Sequence, residues 1–228
     1  KDGHIYRISN DARTLKRTAG MPVAELVGLN DASTFSGLCA RHDNMSFAPV
    51  EKHQFRGNSE QCFLLAYRAV LRETYIRRSA IEMGPAFMAF VDTKPEVTRI
   101  AKKRLVSLYL EGLKRGLHGL EEHKNALDKM LMLRDFKDIR FALIRFRQVP
   151  DLMMSSVWYP TSDFDGNLLT NINRLGQYGA TPDALTFSLL GTDTGGVGVF
   201  VWHKNSDAAC NQIVASLVKG DGGRFTDA

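Results

Sequence analysis

The stretch "NSEQCFLLAYRAVLRETYIRRSAI", residues 58–81, predicts a long helix with clear ends, around which the rest of the chain can be interpreted. Asn58 precedes an apolar repeat of helical period, and Gln61 follows it at the spacing of a capping box. Gly84 and Pro85 lie just beyond the repeat and predict the end of the helix. The side of this helix opposite the apolar residues is basic and carries Arg68, Arg72, Arg77 and Arg78.

A second, longer helix is predicted to begin near Pro95, since proline is favoured in the first helical turn. Gly112 and Gly116 lie four residues apart on one face, where they allow another segment to approach closely, or they mark a turn between two helices. We expect a long helix with a bend. Its apolar stripe consists of Val97, Ala101, Leu105, Leu108, Leu113, Leu117, Leu120, Leu127 and Leu131.

Beyond Arg134 the pattern changes to short runs rich in β-branched and aromatic residues, which predicts strands over 139–149, 152–160, 184–192 and 196–204. The "TDTGG" stretch predicts a hairpin turn between the last two strands. The polar segment 161–183 is a long loop, of a length that is usually functional or partly disordered. A closing helix is predicted between Ser206, as its cap, and Gly220.

This order of elements indicates an α+β fold, in which long antiparallel helices pack with a four-stranded antiparallel sheet and a closing helix. We expect three segments within one compact body. They are an irregular segment with short strands over 1–57, a basic helical region over 58–137, and the sheet with its closing helix over 138–228.

Charge divides the chain unevenly. Residues 1–150 contain 26 lysines and arginines and 17 aspartates and glutamates, a net charge of +9, whereas residues 151–228 contain 4 and 8, a net charge of −4. A basic half attracts polyanions such as nucleic acid. Alternatively, the acidic half docks on the basic half, within one chain or between copies. In a third interpretation, the basic surface is solvated and has no special partner.

Composition bears on the compartment. The three cysteines, Cys39, Cys62 and Cys210, have no disulfide-like spacing, which favours a reducing compartment and leads us to expect a cytoplasmic protein. No stretch approaches the roughly 18 apolar residues that a membrane span requires. The chain begins with Lys1 rather than methionine, so we also expect that a segment precedes it.

The stretch "TFSGLCARHDNMSF", residues 34–47, has the spacing of half a zinc site. Cys39 and His42 are separated by two residues, as in a knuckle whose turn brings a thiolate and an imidazole onto one tetrahedral ion. Two more ligands are needed, from His4, His53 or Cys62, or from a segment upstream of Lys1. The predicted cofactor is therefore zinc or another divalent metal, and its predicted ligands are Cys39, His42, His53 and Cys62.

A second interpretation of the same stretch is purely structural. Apolar side chains would anchor the loop to the core, Cys39 would be a small buried hydrophobe, and His42 and Asp43 would hydrogen-bond the turn. The anchoring residues in this interpretation are Phe35, Leu38, Phe47 and Val50.

The stretch "CARHDN", residues 39–44, resembles the distal zinc knuckle of HNH-type treble-clef nucleases over about fifteen residues. The resemblance implies a metal-dependent phosphodiester hydrolase, in which His4 or His42 activates water, Asn44 orients the histidine and the ion stabilises the scissile phosphate. That family carries paired histidines upstream, and the nearest equivalent here is the single His4. Separately, "GHIYRI", "STFSGLCARHDNMSFAPVE" and "EQCFLLAYRA" are similar to an uncharacterised family of bacterial proteins, which implies no function.

Two functional hypotheses follow. The first is a protein that associates with DNA or RNA. It binds the phosphates through its basic helices and carries an HNH-like module. Its predicted contacts are Arg68, Arg72, Arg99, Lys102, Lys103, Arg104, Lys114 and Arg115. The second is a non-enzymatic sensor or interaction protein that recognises a protein or small ligand through the acidic half and the 161–183 loop, while the helices build a scaffold or a homo-oligomer.

Overall fold

The computed structural model describes residues 3–9, 14, 17–19, 21–28, 35, 37–92, 95–169 and 183–221. Contacts divide the chain into two units, Lys1–Ser36 and Gly37–Ala228. The segment boundaries expected at residues 57 and 137 both fall inside the second unit. The α+β fold class is confirmed, because the second unit combines helices with one antiparallel sheet.

The first unit contains a two-stranded antiparallel hairpin of β1 (His4–Ser9) and β2 (Val23–Gly28). Between the strands, the buried hydroxyl of Thr14 donates a hydrogen bond to a carboxylate oxygen of Glu25 over 3.0 Å. Tyr6 and Leu26 leave most of their side-chain surface exposed. These two strands agree with the short strands that the sequence predicts within residues 1–57.

The helices of the second unit are α1 (Ala40–Ser46), α2 (Ala48–Glu51), α3 (Ser59–Glu82), α4 (Gly84–Asp92), α5 (Glu96–Leu133) and α6 (Asp207–Asp221). Asn58 caps α3 as predicted, since its side-chain oxygen accepts the backbone N–H of Gln61 over 2.8 Å. Gly84 and Pro85 end α3 but also begin α4, which the sequence did not predict. In the described part of the chain, no helix has both the length and the apolar character that crossing a membrane requires.

The sheet consists of β3 (Ile139–Phe146), β4 (Met154–Trp158), β5 (Leu185–Thr192) and β6 (Gly195–His203). The strand order is β3-β6-β5-β4 and all neighbours are antiparallel. The four predicted strands are confirmed, as is the hairpin turn between Thr192 and Gly195.

Both faces of the sheet are covered. On one face, Leu185, Phe200 and Trp202 pack with Cys210 and Ile213 of α6. Side chains alternate between the faces of a strand, so Val199 and Val201 of β6 lie on the opposite side, where α3 packs against the sheet. The core is therefore built in three layers, with α3, the sheet and α6 stacked in that order.

The helices α3 and α5 run antiparallel, as side-chain contacts along their length show. Tyr67 donates a hydrogen bond to Asp128 over 2.6 Å, and Arg78 pairs with Glu121 over 2.6 Å. Helix α5 is continuous through its glycines, and it is about 57 Å long at 1.5 Å per residue. Gly84, just past the end of α3, lies against the side chain of Leu110, so the part of α5 before Leu110 extends beyond α3 and has α4 as its neighbour instead.

Candidate functional sites

The structure brings Cys39 and His42 together. Cys39 is the N-cap of α1, and its sulfur lies 3.2 Å from Nδ1 of His42, one helical turn further on. Both side chains are exposed. The interpretation of Cys39 as a small buried hydrophobe is therefore wrong, although Phe47, one of the predicted anchoring residues, is fully buried.

The other predicted zinc ligands do not join this pair. His53 is exposed, whereas Cys62 is buried in α3, and burial raises the pKa of the Cys62 thiol to about 12. Among the described residues, no three His, Cys, Asp or Glu side chains are grouped as a metal site. A structural zinc ion takes four ligands, so the described residues do not fit one. The zinc prediction stays a prediction.

Within the second unit, two residues implied by the nuclease resemblance are not brought together. His42 and Asn44 are two residues apart in α1, and side chains at that spacing do not face each other on a helix. His42 instead has Cys39 as its neighbour. His4 belongs to β1 in the first unit.

The eight predicted nucleic-acid contacts separate into two groups. In the first group each basic side chain has a carboxylate partner: Arg68 with Glu51, Arg99 with Glu96, Lys103 with Asp92, and Arg115 with Glu111. Arg68 also lies over the ring of Phe47, 4.3 Å from its centroid. Within the described residues no ion pair is found for the second group, Arg72, Lys102, Arg104 and Lys114, all of them exposed.

The unpaired basic residues do not form a single stripe. Arg104 and Lys114 lie on one side of α5, whereas Lys102 is two residues from Arg104 and therefore points away from it. Arg72 lies on α3. The basic character that the sequence predicted is present, but half of it is neutralised locally and the remainder is spread around the helices.

Exposed apolar residues of α4 and of the first half of α5 form a feature that sequence reasoning missed. The predicted apolar stripe of α5 is buried at Leu120 and Leu127 but not in the first half of the helix. There, Leu105, Leu108 and Tyr109 are 67%, 57% and 55% exposed. Phe87 and Phe90 of α4 and Ile100 of α5 are also exposed. Periodicity identified this stripe, but it does not reveal which part of it is covered.

We define the α5 stripe as Ala101, Leu105, Leu108, Tyr109 and Gly112, which share one side of the helix at spacings of three and four residues. Gly116, four residues beyond Gly112, lies on the same side. A Cβ on Gly116 would lie 2.0 Å from Nη1 of Arg77, whereas a Cβ on Gly112 would meet nothing within 4 Å. Helix α3 therefore covers this side of α5 at Gly116 and leaves it open at Gly112.

Within residues 161–169, the acidic half contains a turn that is held by hydrogen bonds to Asp163. The carboxylate of Asp163 accepts hydrogen bonds from Asn167 and from Nε2 of Gln212 in α6, and these bonds hold the pKa of Asp163 below its usual value. They attach the start of the 161–183 loop to α6. Residues 170–182 of this loop lie outside the described part of the chain, so its predicted recognition role stays a prediction.

His123 in α5 makes stability depend on pH. Burial, followed by the positive charge of nearby His203, lowers the pKa of His123 to about 4, below about 6.5 for an unfolded chain. As the pH falls, His123 therefore becomes protonated in the unfolded state before it does in the folded state. The contribution of His123 to the free energy of unfolding is fully present above about pH 6.5 and decreases as the pH falls toward 4. The loss should be at most about 3 kcal/mol.

This loss can be measured by urea unfolding at pH 7 and pH 4.5 for the wild type and His123→Gln. We expect His123→Gln to lose clearly less stability on acidification than the wild type. His118→Gln is the matched control, since it makes the same substitution at an exposed histidine of the same helix. An equal acid loss in the wild type and His123→Gln would show that another group is responsible.

Comparisons of this chain with family models, with curated proteins and with solved structures found no match. The function must therefore be inferred from the side chains described above. Three features are available for that inference: the Cys39–His42 pair, the four unpaired basic residues and the α5 stripe.

Proposed function

We propose that the protein is a non-enzymatic interaction protein that docks on another protein through the α5 stripe. The observation that carries the proposal is that Leu105, Leu108 and Tyr109 each expose more than half of their surface. They do so at helical spacing, on the side of α5 that α3 covers further along the helix.

The physical argument concerns apolar area in contact with water. Burying a leucine or phenylalanine side chain is worth roughly 1.5–3 kcal/mol relative to leaving it exposed. Single exposed apolar residues are common, but several at one helical spacing mark an interaction surface. Proteins also commonly recognise each other through one face of an amphipathic helix, whose apolar contact residues are spaced three and four apart.

Catalysis is not part of this proposal. A general base has to lie within hydrogen-bonding reach of its orienting group, and α1 places His42 and Asn44 on different sides of one short helix. The nuclease interpretation stays a prediction that this geometry does not support.

The docking proposal can be tested by photo-crosslinking in cells that produce the protein. A photoreactive amino acid replaces Leu108 in one variant and Ser107 in a matched control, since Ser107 is exposed and adjacent but points away from the stripe. We expect protein adducts from position 108 and several-fold fewer from position 107. Equal yields at the two positions, or no adduct at 108, would overturn the proposal.

A second candidate function is nucleic-acid association. The observation that favours it is the exposed group Arg72, Lys102, Arg104 and Lys114, for which the described residues contain no carboxylate partner. Phosphate contacts release counterions, and the logarithm of affinity falls with the logarithm of salt concentration by about 0.9 per neutralised phosphate of duplex DNA.

Adjacent lysines provide a controlled test of this candidate. Lys102→Gln and Lys103→Gln remove the same charge, but Lys103 already pairs with Asp92 over 2.5 Å. We expect Lys102→Gln to weaken retention on DNA or RNA and to reduce the salt slope by about 1, and Lys103→Gln to do less. Retention that is insensitive to salt, or that decreases equally in both variants, would exclude specific phosphate contacts at Lys102.

A further inference from the structure

The partner that best fits the α5 stripe can be inferred from its own pattern. Ala101, Leu105, Leu108 and Gly112 are spaced by four, three and four residues, which is the a and d spacing of a coiled-coil seam. The two large side chains lie at the centre of this seam and the two small residues at its ends. Such a seam is symmetric about the midpoint between Leu105 and Leu108.

An antiparallel arrangement of two such helices uses that symmetry. When Leu105 of one copy packs beside Leu108 of the other, Ala101 falls beside Gly112 in the same register. Large residues then meet large ones, and the small residues at both ends allow the backbones to approach closely. A Cβ on Gly112 would meet nothing within 4 Å in the described part of its own chain, which leaves room there for the second helix.

The charges that flank the seam are complementary in the same register. Arg104 and Glu111 each precede an a position, and antiparallel coiled coils place two such flanking positions opposite each other. The register that pairs Leu105 with Leu108 places Arg104 of each copy opposite Glu111 of the other. On the second flank, it places Lys102 opposite Tyr109. No ion pair is found for Arg104 within the described residues, so its charge is available for this contact. Glu111 pairs with Arg115 of its own helix, so in the dimer its carboxylate is shared between Arg115 and Arg104 of the other copy.

We propose that a second copy of this chain occupies the α5 stripe, in an antiparallel contact with twofold symmetry. This inference rests on the proposed docking function and names its partner. In the dimer, the second copy of α5 covers residues 101–112, on the side that α3 covers at Gly116. The seam spans about three turns of helix, so the dimer is expected to be weak and dependent on concentration.

Charge exchange across the seam tests the register. Sedimentation velocity over a concentration series should show reversible dimerisation of the wild-type chain. Arg104→Glu alone and Glu111→Arg alone each place like charges opposite each other and should weaken the dimer at least tenfold. The double variant, Arg104→Glu with Glu111→Arg, restores both pairs and should recover most of the affinity. Failure of this rescue would overturn the proposed register.

Spin labels distinguish antiparallel from parallel packing. Cysteines introduced at the exposed positions Ser107 and Lys114, in a Cys39→Ser background, carry one label per copy, and the two positions share one side of α5 because they are seven residues apart. In the antiparallel dimer, the two labels at position 107 lie at nearly the same height along the helices, whereas those at position 114 are offset by about 22 Å along the helix axis. Equal distances at the two positions would overturn the antiparallel contact.

The result also separates this inference from the docking function. A purified chain that remains monomeric at every concentration overturns the dimer. If position 108 nevertheless forms adducts with a different protein in cells, the docking function stands and only the identity of the partner is wrong. If position 108 forms no adduct, the docking function itself fails.

Discussion

Replacing Gln61 by alanine should destabilise the second unit by about 3–5 kcal/mol. Gln61 is buried in the first turn of α3. Its side-chain oxygen accepts the backbone N–H groups of Arg56 over 2.7 Å and Gly57 over 3.2 Å. Its amide nitrogen donates to the carbonyl oxygens of Pro49 over 2.9 Å and Gln54 over 3.0 Å.

The size of this effect follows from what the substitution leaves behind. Alanine would leave four backbone groups of the 49–57 segment without these partners, and an unpaired buried backbone group costs about 1–3 kcal/mol. Some of these groups would regain water after a local shift, so the costs do not simply add. The capping box predicted for Asn58 and Gln61 is therefore only half present, since the Gln61 side chain bonds the preceding loop instead of the cap.

Urea unfolding of Gln61→Ala, Gln61→Glu and Ser59→Ala provides the measurement. Glutamate keeps the two acceptor contacts and loses the two donor contacts, so Gln61→Glu should also be strongly destabilising. Ser59 is exposed in the same turn, and Ser59→Ala should change stability by no more than about 0.5 kcal/mol. A Gln61→Ala protein as stable as Ser59→Ala would show that the loop does not depend on this side chain.

Replacing Gly195 by alanine should be comparably damaging, at roughly 3 kcal/mol or more. Gly195 begins β6 with φ of +140°, a backbone conformation that residues other than glycine rarely adopt. A Cβ at this position would lie 2.2 Å from the backbone carbonyl oxygen of Phe146 in β3. The clashing atom is part of the backbone of β3, so the clash could be removed only by moving the strands of the sheet apart.

Two other glycines serve as controls for Gly195→Ala in thermal unfolding. Gly166 has φ of +85° but nothing within 4 Å of a Cβ, so Gly166→Ala should show backbone strain without a clash and cost about 1 kcal/mol. Gly112 is in open space within α5, and Gly112→Ala should raise stability by up to about 1 kcal/mol through helix propensity. If Gly195→Ala destabilised the protein no more than Gly166→Ala does, β3 and β6 would not approach each other at Gly195 as closely as the structure shows.

Much of the second unit could be predicted from local signals. The cap at Asn58, the proline before α5 and the alternation of the strands depend on residues near each other in sequence, and each predicted its element to within a few residues. The hairpin between β5 and β6 is a similar case. These features are local, so their physical causes are visible in the sequence.

The covering of each surface could not be predicted in the same way. The period of α5 identifies an apolar side, but whether Leu108 is buried depends on where α3 ends in space. The strand order β3-β6-β5-β4 likewise depends on long-range packing. Half of the predicted basic contacts have carboxylate partners, some within a helical turn, such as Glu111 beside Arg115, and some distant in sequence, such as Glu51 beside Arg68.

The candidate zinc site illustrates the same limit. The spacing of Cys39 and His42 correctly indicated that their side chains can meet, because one helical turn separates them. The other two ligands were chosen by residue type alone, and one of them, Cys62, lies in the apolar core instead. Ligand type is a local property, whereas convergence of four ligands is a property of the fold.

The most direct test of the docking surface is to measure how accessible the α5 stripe is in cells. Hydroxyl-radical footprinting reports side-chain accessibility, and it can be applied both to producing cells and to dilute purified protein. We predict that Leu105 and Leu108 are modified several-fold less in cells, while Met132 and Leu133, exposed at the other end of α5, are modified equally in both samples. Equal modification of Leu105 and Leu108 in the two samples would contradict the proposal that a protein partner covers this stripe.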